Sequence, residues 1–132
     1  MSDNRQLVSD AFASWAEGDT GPFFALVADD VTWTVIGSTP VSGTFRSKRA
    51  FTEGALVPMG KVLAGPILAE VVDVIADDDR VALRWIGRSS SRKGRPYVQT
   101  YCWTMRFDAG RIVEVTAYLD TELITMLFED AG

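Results

Sequence analysis

The 132-residue chain contains no histidine and a single cysteine, Cys102. The first absence removes Ser-His-Asp and Cys-His nucleophilic catalysis, histidine-ligated zinc, and the commonest general base near neutral pH. The second removes an intrachain disulfide, cysteine-only zinc sites and iron–sulfur clusters. Any proton transfer must therefore use carboxylates, tyrosine, lysine, the thiol or water. Positive charge is scarce as well: 13 Lys and Arg against 18 Asp and Glu leave a net charge of −5. A surface built to neutralise nucleic-acid phosphates is not expected from that balance. No apolar run approaches a membrane span, and residues 1–6 lack the apolar centre of a signal peptide. A cytoplasmic protein with no nucleic-acid partner, no membrane partner and no cofactor or metal is the expectation.

What is present is ordinary globular material: 47% apolar and 23% charged residues, without repeats or low-complexity stretches. The length suits one domain, residues 1–132, with a real core. Leu7, Val8, Ala11, Phe12, Trp15 and Ala16 recur at three- and four-residue spacing, which predicts a helix over residues 3–17. A second short helix follows Thr20, with Pro22 in its first turn, where a missing N–H does no harm. Residues 31–36 read as a strand, and residues 41–45 as a short one. Ser47 is placed to cap a third helix that Pro58 and Gly60 should stop near Leu56. Four strands are expected at residues 68–76, 81–89, 97–107 and 112–119. Asp120 or Thr121 then caps a final helix over residues 122–128. Helices first and a meander after give an α+β fold, its curved sheet covered by the N-terminal helices.

Hairpin geometry converts this reading into a site. A three-residue loop over residues 108–110 sets Trp103 opposite Val115 and Tyr101 opposite Ala117. A two-residue turn at Lys93-Gly94 sets Arg84 opposite Trp103 and Arg88 opposite Gln99. A four-residue loop keeps those faces, whereas a three-residue loop swaps them. One face then carries Arg84, Ile86, Arg88, Gln99, Tyr101, Trp103, Met105, Val113, Val115, Ala117 and Leu119. The other carries Leu83, Trp85, Val98, Thr100, Cys102, Thr104, Thr116 and Tyr118. Its apolar character calls for a partner, and a symmetric homodimer through this outer face is the simplest.

The segments Ala28-Asp29-Asp30-Val31-Thr32-Trp33 and Pro40-Val41-Ser42-Gly43 resemble the first half of the ketosteroid isomerases. Thr104-Met105-Arg106-Phe107-Asp108-Ala109-Gly110-Arg111-Ile112, with Ala117-Tyr118 after it, resembles the second half. The resemblance spans residues 7–123 and extends to the wider nuclear transport factor 2-like group, with its SnoaL-like cyclases and limonene epoxide hydrolases. It implies a cone-like fold of the cystatin-like α+β barrel kind, a pocket between sheet and helices, and a dimer. The family's catalytic residues do not carry over. The isomerases' general-base aspartate falls at Val35 or its neighbours Thr34 and Ile36. Their protonated aspartic acid falls at Trp103, and their first-helix tyrosine near Ala11. For the hydrolases, Arg80-Val81-Ala82 keeps an arginine but lacks its acid, and the last-strand aspartate falls at Ala117, as does that of the cyclases. Asp120, three residues on, reads better as a helix cap.

The candidate ligand-binding residues are therefore Trp33, Val35, Arg84, Gln99, Tyr101, Trp103 and Ala117. A guanidinium at Arg84 beside the Trp103 indole could hold an anionic group while the aromatics hold an apolar body. Tyr101 and Gln99 could orient it. The plainer reading pairs Arg84 and Arg88 with Asp73 or Glu70. Glu53 is the best remaining carboxylate near a pocket mouth, and an exposed helical glutamate explains it equally. Two classes stay open. One is a pocket protein that binds a small hydrophobic molecule or serves as a dimer module. The other is an isomerase, hydrolase or cyclase lacking the usual acids.

Overall fold

A computed structural model describes residues 3–132. Its elements are α1 (Asn4–Trp15), α2 (Gly21–Leu26), β1 (Val27–Val35), β2 (Gly43–Phe45), α3 (Lys48–Phe51), a π-helical turn (Thr52–Leu56), α4 (Val57–Val62), β3 (Leu68–Asp77), β4 (Arg80–Ser90), β5 (Pro96–Asp108), β6 (Arg111–Tyr118) and α5 (Thr121–Ala131). The six strands form one mixed sheet in the order β2-β1-β6-β5-β4-β3. The meander β3 to β6 is antiparallel as expected, while β1 joins β6 in parallel. This is the predicted α+β cone. Among the described residues no helix is long and apolar enough to cross a membrane.

The periodic residues of α1 do what their spacing dictates: Val8, Ala11, Phe12 and Trp15 are buried against the sheet. Phe12 lies 5.1 Å, centroid to centroid, from Trp85 and 5.9 Å from Trp103, both in edge-on geometry. Ser47 caps α3 by accepting from the Ala50 amide. The helix does not stop at Pro58. It widens into the π-helical turn just before Pro58 and runs on into α4, with Leu56 and Val57 keeping helical φ and ψ. β1 starts earlier than its apolar run suggests, because Val27 already pairs with Ile112. A register shift before Thr32 leaves Asp29 and Asp30 exposed.

Two turns depart from expectation, with different consequences. Between β4 and β5 the loop is residues 91–95, five long, closing at Ser90 opposite Pro96. Buried Ser91 organises it: its Oγ accepts from the Lys93 and Arg95 amides. An odd loop inverts the expected pairing, so Leu83 faces Trp103, Arg84 faces Cys102 and Trp85 faces Tyr101. Leu83 and Trp85 therefore belong to the covered face, and Arg84, Ile86 and Arg88 to the outer one. The β5–β6 turn is only Ala109-Gly110, both at positive φ (51° and 79°), the signature of a tight hairpin turn. A bulge after Arg106 then adds one residue to β6. The two deviations cancel, and Trp103, Met105, Val115 and Ala117 share one face as expected.

Candidate functional site

β1, β6, β5 and β4 present cross-strand rows to the helices. One row runs Val35, Ala117, Trp103, Leu83; the next runs Trp33, Val115, Met105, Val81. Helix α1 covers the β4 and β5 end through Phe12 and Trp15. The π-helical turn supplies Ala55 and Leu56, α4 supplies Met59, and α5 supplies Ile124. Between these layers lies a cavity of about 100 Å³. Its wall is almost wholly apolar, and no carboxylate, Arg or Lys lines it. Leu56, Met59 and Ile67 also line a groove on the outside of the molecule, so these side chains stand between cavity and solvent.

Five of the seven candidate residues line this cavity: Trp33, Val35, Tyr101, Trp103 and Ala117. Three of them, Val35, Trp103 and Ala117, are residues at which the resemblance would set acids (with Thr34 or Ile36 as alternatives to Val35), and all three are apolar here. Ala11, near which the resemblance would set a tyrosine, is buried in α1 but lines no part of the cavity. Arg84 is the main correction. It lies on the outer face, where Nε and Nη2 donate to Asp73 at 3.0 and 2.7 Å. Arg88 likewise donates to Glu70 at 2.8 Å. The odd β4–β5 loop is the reason. Gln99 is the second correction: it is fully buried but lines no part of the cavity. Its side chain clamps the backbone of Asp120, donating to the carbonyl at 2.9 Å and accepting from the amide at 2.8 Å. Asp120 is exposed and caps α5 through the Glu122 amide. Glu53 is exposed and pairs with Arg49.

Sequence reasoning missed several wall residues, among them Phe51, Leu56, Met59, Ile67 and Trp85, and for Trp85 a signal existed. Along β4, Val81, Leu83, Trp85 and Gly87 alternate with Ala82, Arg84, Ile86 and Arg88, and period-2 patterning sends the charged set outward. Gly87 has its own role. A Cβ there would meet Ile67 Cγ2 at 2.7 Å and Tyr101 Cε2 at 2.9 Å, so its bareness lets the Tyr101 ring lie across β4.

The polar atoms of the wall are few. The Tyr101 hydroxyl is hydrogen-bonded to that of Tyr97 at 2.7 Å. Burial pushes both phenols above the usual range, Tyr101 the further, so both are neutral donors at physiological pH. The indoles of Trp33, Trp85 and Trp103 form an orthogonal set. Trp103 stands edge-on to Trp33 at 5.1 Å and 82°, and to Trp85 at 5.0 Å and 84°. Trp33 stacks on Phe51 at 3.9 Å and Trp85 on Tyr101 at 4.1 Å. The N–H of each of these three indoles is buried and has no hydrogen-bond partner. An orphaned buried donor costs about 1–3 kcal/mol. Trp15 shows the ordinary solution, donating to the Ile67 carbonyl at 3.0 Å.

Residues 8–115 match the SnoaL-like domain family. No curated protein is detectably similar to the chain in sequence. Solved structures share the fold at low identity. An NTF2-like protein of Burkholderia pseudomallei superposes with a TM-score of 0.81 at 22% identity, covering 96% of this chain and 98% of its own. TerC, crystallised with polyporic acid, gives 0.80 at 20% identity, with 97% and 99% covered. A protein of ketosteroid isomerase-like fold from Catenulispora acidiphila, in complex with trimethylamine, gives 0.67 at 13% identity, with 85% and 83% covered. The sequence match takes in most of the chain, and the six-stranded cone agrees with these neighbours. The chain belongs to the SnoaL-like domain family and has the NTF2-like fold.

Proposed function

We propose that the protein binds a small, neutral, hydrophobic molecule in the cavity between sheet and helices. The observation that carries this reading is the wall itself, aromatic and aliphatic throughout, with neither a cation nor a carboxylate. A buried anion without a paired charge would be strongly disfavoured. The reason for expecting an anionic ligand left with Arg84. Turnover by proton transfer would need a group poised near neutrality, and Tyr101, whose hydroxyl is the one titratable group in the wall, is pushed the wrong way. The positions used by the related enzymes hold Val35, Trp103 and Ala117, which supports binding over catalysis. That TerC and the Catenulispora protein were each crystallised with a small organic molecule fits small-molecule binding on this fold.

At about 100 Å³ the cavity is smaller than the roughly 150 Å³ space that takes up benzene in an engineered core, and well below the about 300–1,000 Å³ of drug-sized sites. A ligand of benzene size or above must displace Leu56, Met59 or Ile67. Xenon fits without displacement and probes the empty state. Saturable xenon shifts are expected in the methyl resonances of Ile124 and Leu119, and Ala117→Leu, which fills the floor, should abolish them. Shifts that rise linearly and equally in both proteins would sink the reading.

We propose further that the outer sheet face joins a second copy of the chain. Val98, Thr100, Cys102, Thr104, Thr116 and Tyr118 form an uncharged strip across β5 and β6. Several charges beside it are paired within the chain: Arg84–Asp73, Arg88–Glu70 and Arg106–Glu114.

A further inference from the structure

Leu56, Met59 and Ile67 have a second side. Together with Trp15 they also line a groove of about 500 Å³ on the outside of the molecule, and Arg92 is the one charged side chain that lines it with them. We propose that cavity and groove form one two-part site for an amphiphile with an anionic end. An alkyl chain passes between Leu56, Met59 and Ile67 into the cavity, and its carboxylate stays in the groove on the Arg92 guanidinium. The proposal rests on the cavity being a binding site and adds what the ligand carries outside it. The apolar wall refuses charge, which makes only the inner part of a ligand neutral. Arg92 reaches from the β4–β5 loop to the last turn of α4, where its Nε donates to the Lys61 carbonyl at 3.0 Å. That contact answers a carbonyl of the kind a helix end leaves free, and it uses one guanidinium donor of five. Among the described residues the donors on Nη1 and Nη2 have no protein partner. Arg49, Arg84, Arg88, Arg95 and Arg106 each meet a carboxylate of the chain, whereas Arg92 meets none among the described residues. No carboxylate lines the groove either. A guanidinium fixed beside an apolar mouth and left without an acid is placed for one that arrives with a ligand. The side chains between the two parts suit such a passage. Trp15 holds the Ile67 carbonyl at 3.0 Å, so the backbone stays while the side chain turns, and Met59 is unbranched and half-buried.

Hexanoate, hexan-1-ol and hexylammonium share a chain and differ in the charge at its end, so titrations with the three separate the parts of the site. The wild type is expected to bind hexanoate about fivefold tighter than hexan-1-ol, and hexylammonium the most weakly. The advantage of hexanoate should shrink in high salt, because the groove is open to water. Arg92→Met should bring hexanoate down to the level of hexan-1-ol and leave hexan-1-ol and xenon binding as they were. Ala117→Leu should weaken hexanoate and hexan-1-ol alike, since the chain then has no cavity to enter. If the three bind equally, or Arg92→Met keeps the preference for hexanoate, the anionic subsite is overturned, while saturable xenon shifts leave the cavity reading standing. If Ala117→Leu leaves hexanoate binding untouched, the chain lies in the groove alone and the two-part site is overturned. If xenon shifts do not saturate and none of the three compounds binds, the cavity reading fails and the proposal falls with it. Arg92 is exposed, so its replacement spares the core, and the wild-type charge series decides the matter without the variant.

Discussion

Asp130 shows how one residue ties distant parts of the chain together. It sits near the end of α5, with its side chain withdrawn from water, and receives a two-pronged hydrogen bond from Arg95 in the β4–β5 loop, at 2.6 and 2.8 Å. Arg95, followed by the Ser91 hydroxyl, holds its carboxyl down at about 2, against an ordinary 3.8. Because the folded value is depressed, the pair's contribution is present above about pH 4 and disappears as pH falls toward 2. Asp130→Asn should therefore lower the unfolding midpoint at pH 7, and the gap from wild type should close between pH 4 and pH 2. Urea titrations across that range check it, and a gap independent of pH would show that packing, not charge, carries the effect. Gln99 teaches the same lesson at the site. A buried amide beside aromatic residues looks like a ligand contact in sequence, but the backbone of Asp120 is the nearer claimant. No local pattern announces that claim, because it joins residues 21 apart.

Strand identities, helix periodicity and the caps at Ser47 and Asp120 were legible because each follows from a few neighbouring residues. Turn lengths were not, and turn length sets which way every side chain in a hairpin points. The five-residue turn depends on Ser91 being buried and accepting two amides, a tertiary circumstance. Guessing it shorter moved Arg84 into the cavity and Trp85 out of it. The alternation along β4 contradicted that guess and was the better guide. Gly87 in the same strand gives a sharp test of how closely the wall is packed. It pairs with Gln99, and its absent Cβ is what the Tyr101 ring and Ile67 occupy. Its φ is not in the left-handed region, so alanine meets a spatial obstacle only. Gly87→Ala should cost about 1–3 kcal/mol by overpacking. It should also disturb the Trp85–Tyr101 stack, read by urea denaturation and near-ultraviolet circular dichroism. An unchanged midpoint would mean that Ile67 yields freely, as entry past it into the cavity would require.

The molecule as a whole is a single-layer sheet with helices on one side, and the other side carries the proposed contact with a second copy. Val98 and Tyr118 are each 46% exposed on that side, amid threonines that offer little charge and no bulk. The arginines that could have kept the face soluble are instead neutralised by Asp73, Glu70 and Glu114. Arg84 and Arg106 hold Asp73 and Glu114 below the usual carboxylate range, so these pairs stay formed through neutral pH. A face that cancels its own charges and leaves its centre uncharged repels no identical copy of itself, which is the condition for a two-fold contact. Leu56, Met59 and Ile67 separate the cavity from solvent on the helical side, so the proposed pairing through the sheet would leave that approach free. Sedimentation should accordingly give twice the chain mass for the wild type. Val98→Lys combined with Tyr118→Lys should give the single-chain mass, with circular dichroism and xenon binding retained. A wild type that sediments as one chain at high concentration would leave the outer face without this partner. A double variant that stays paired would place the contact elsewhere on the surface.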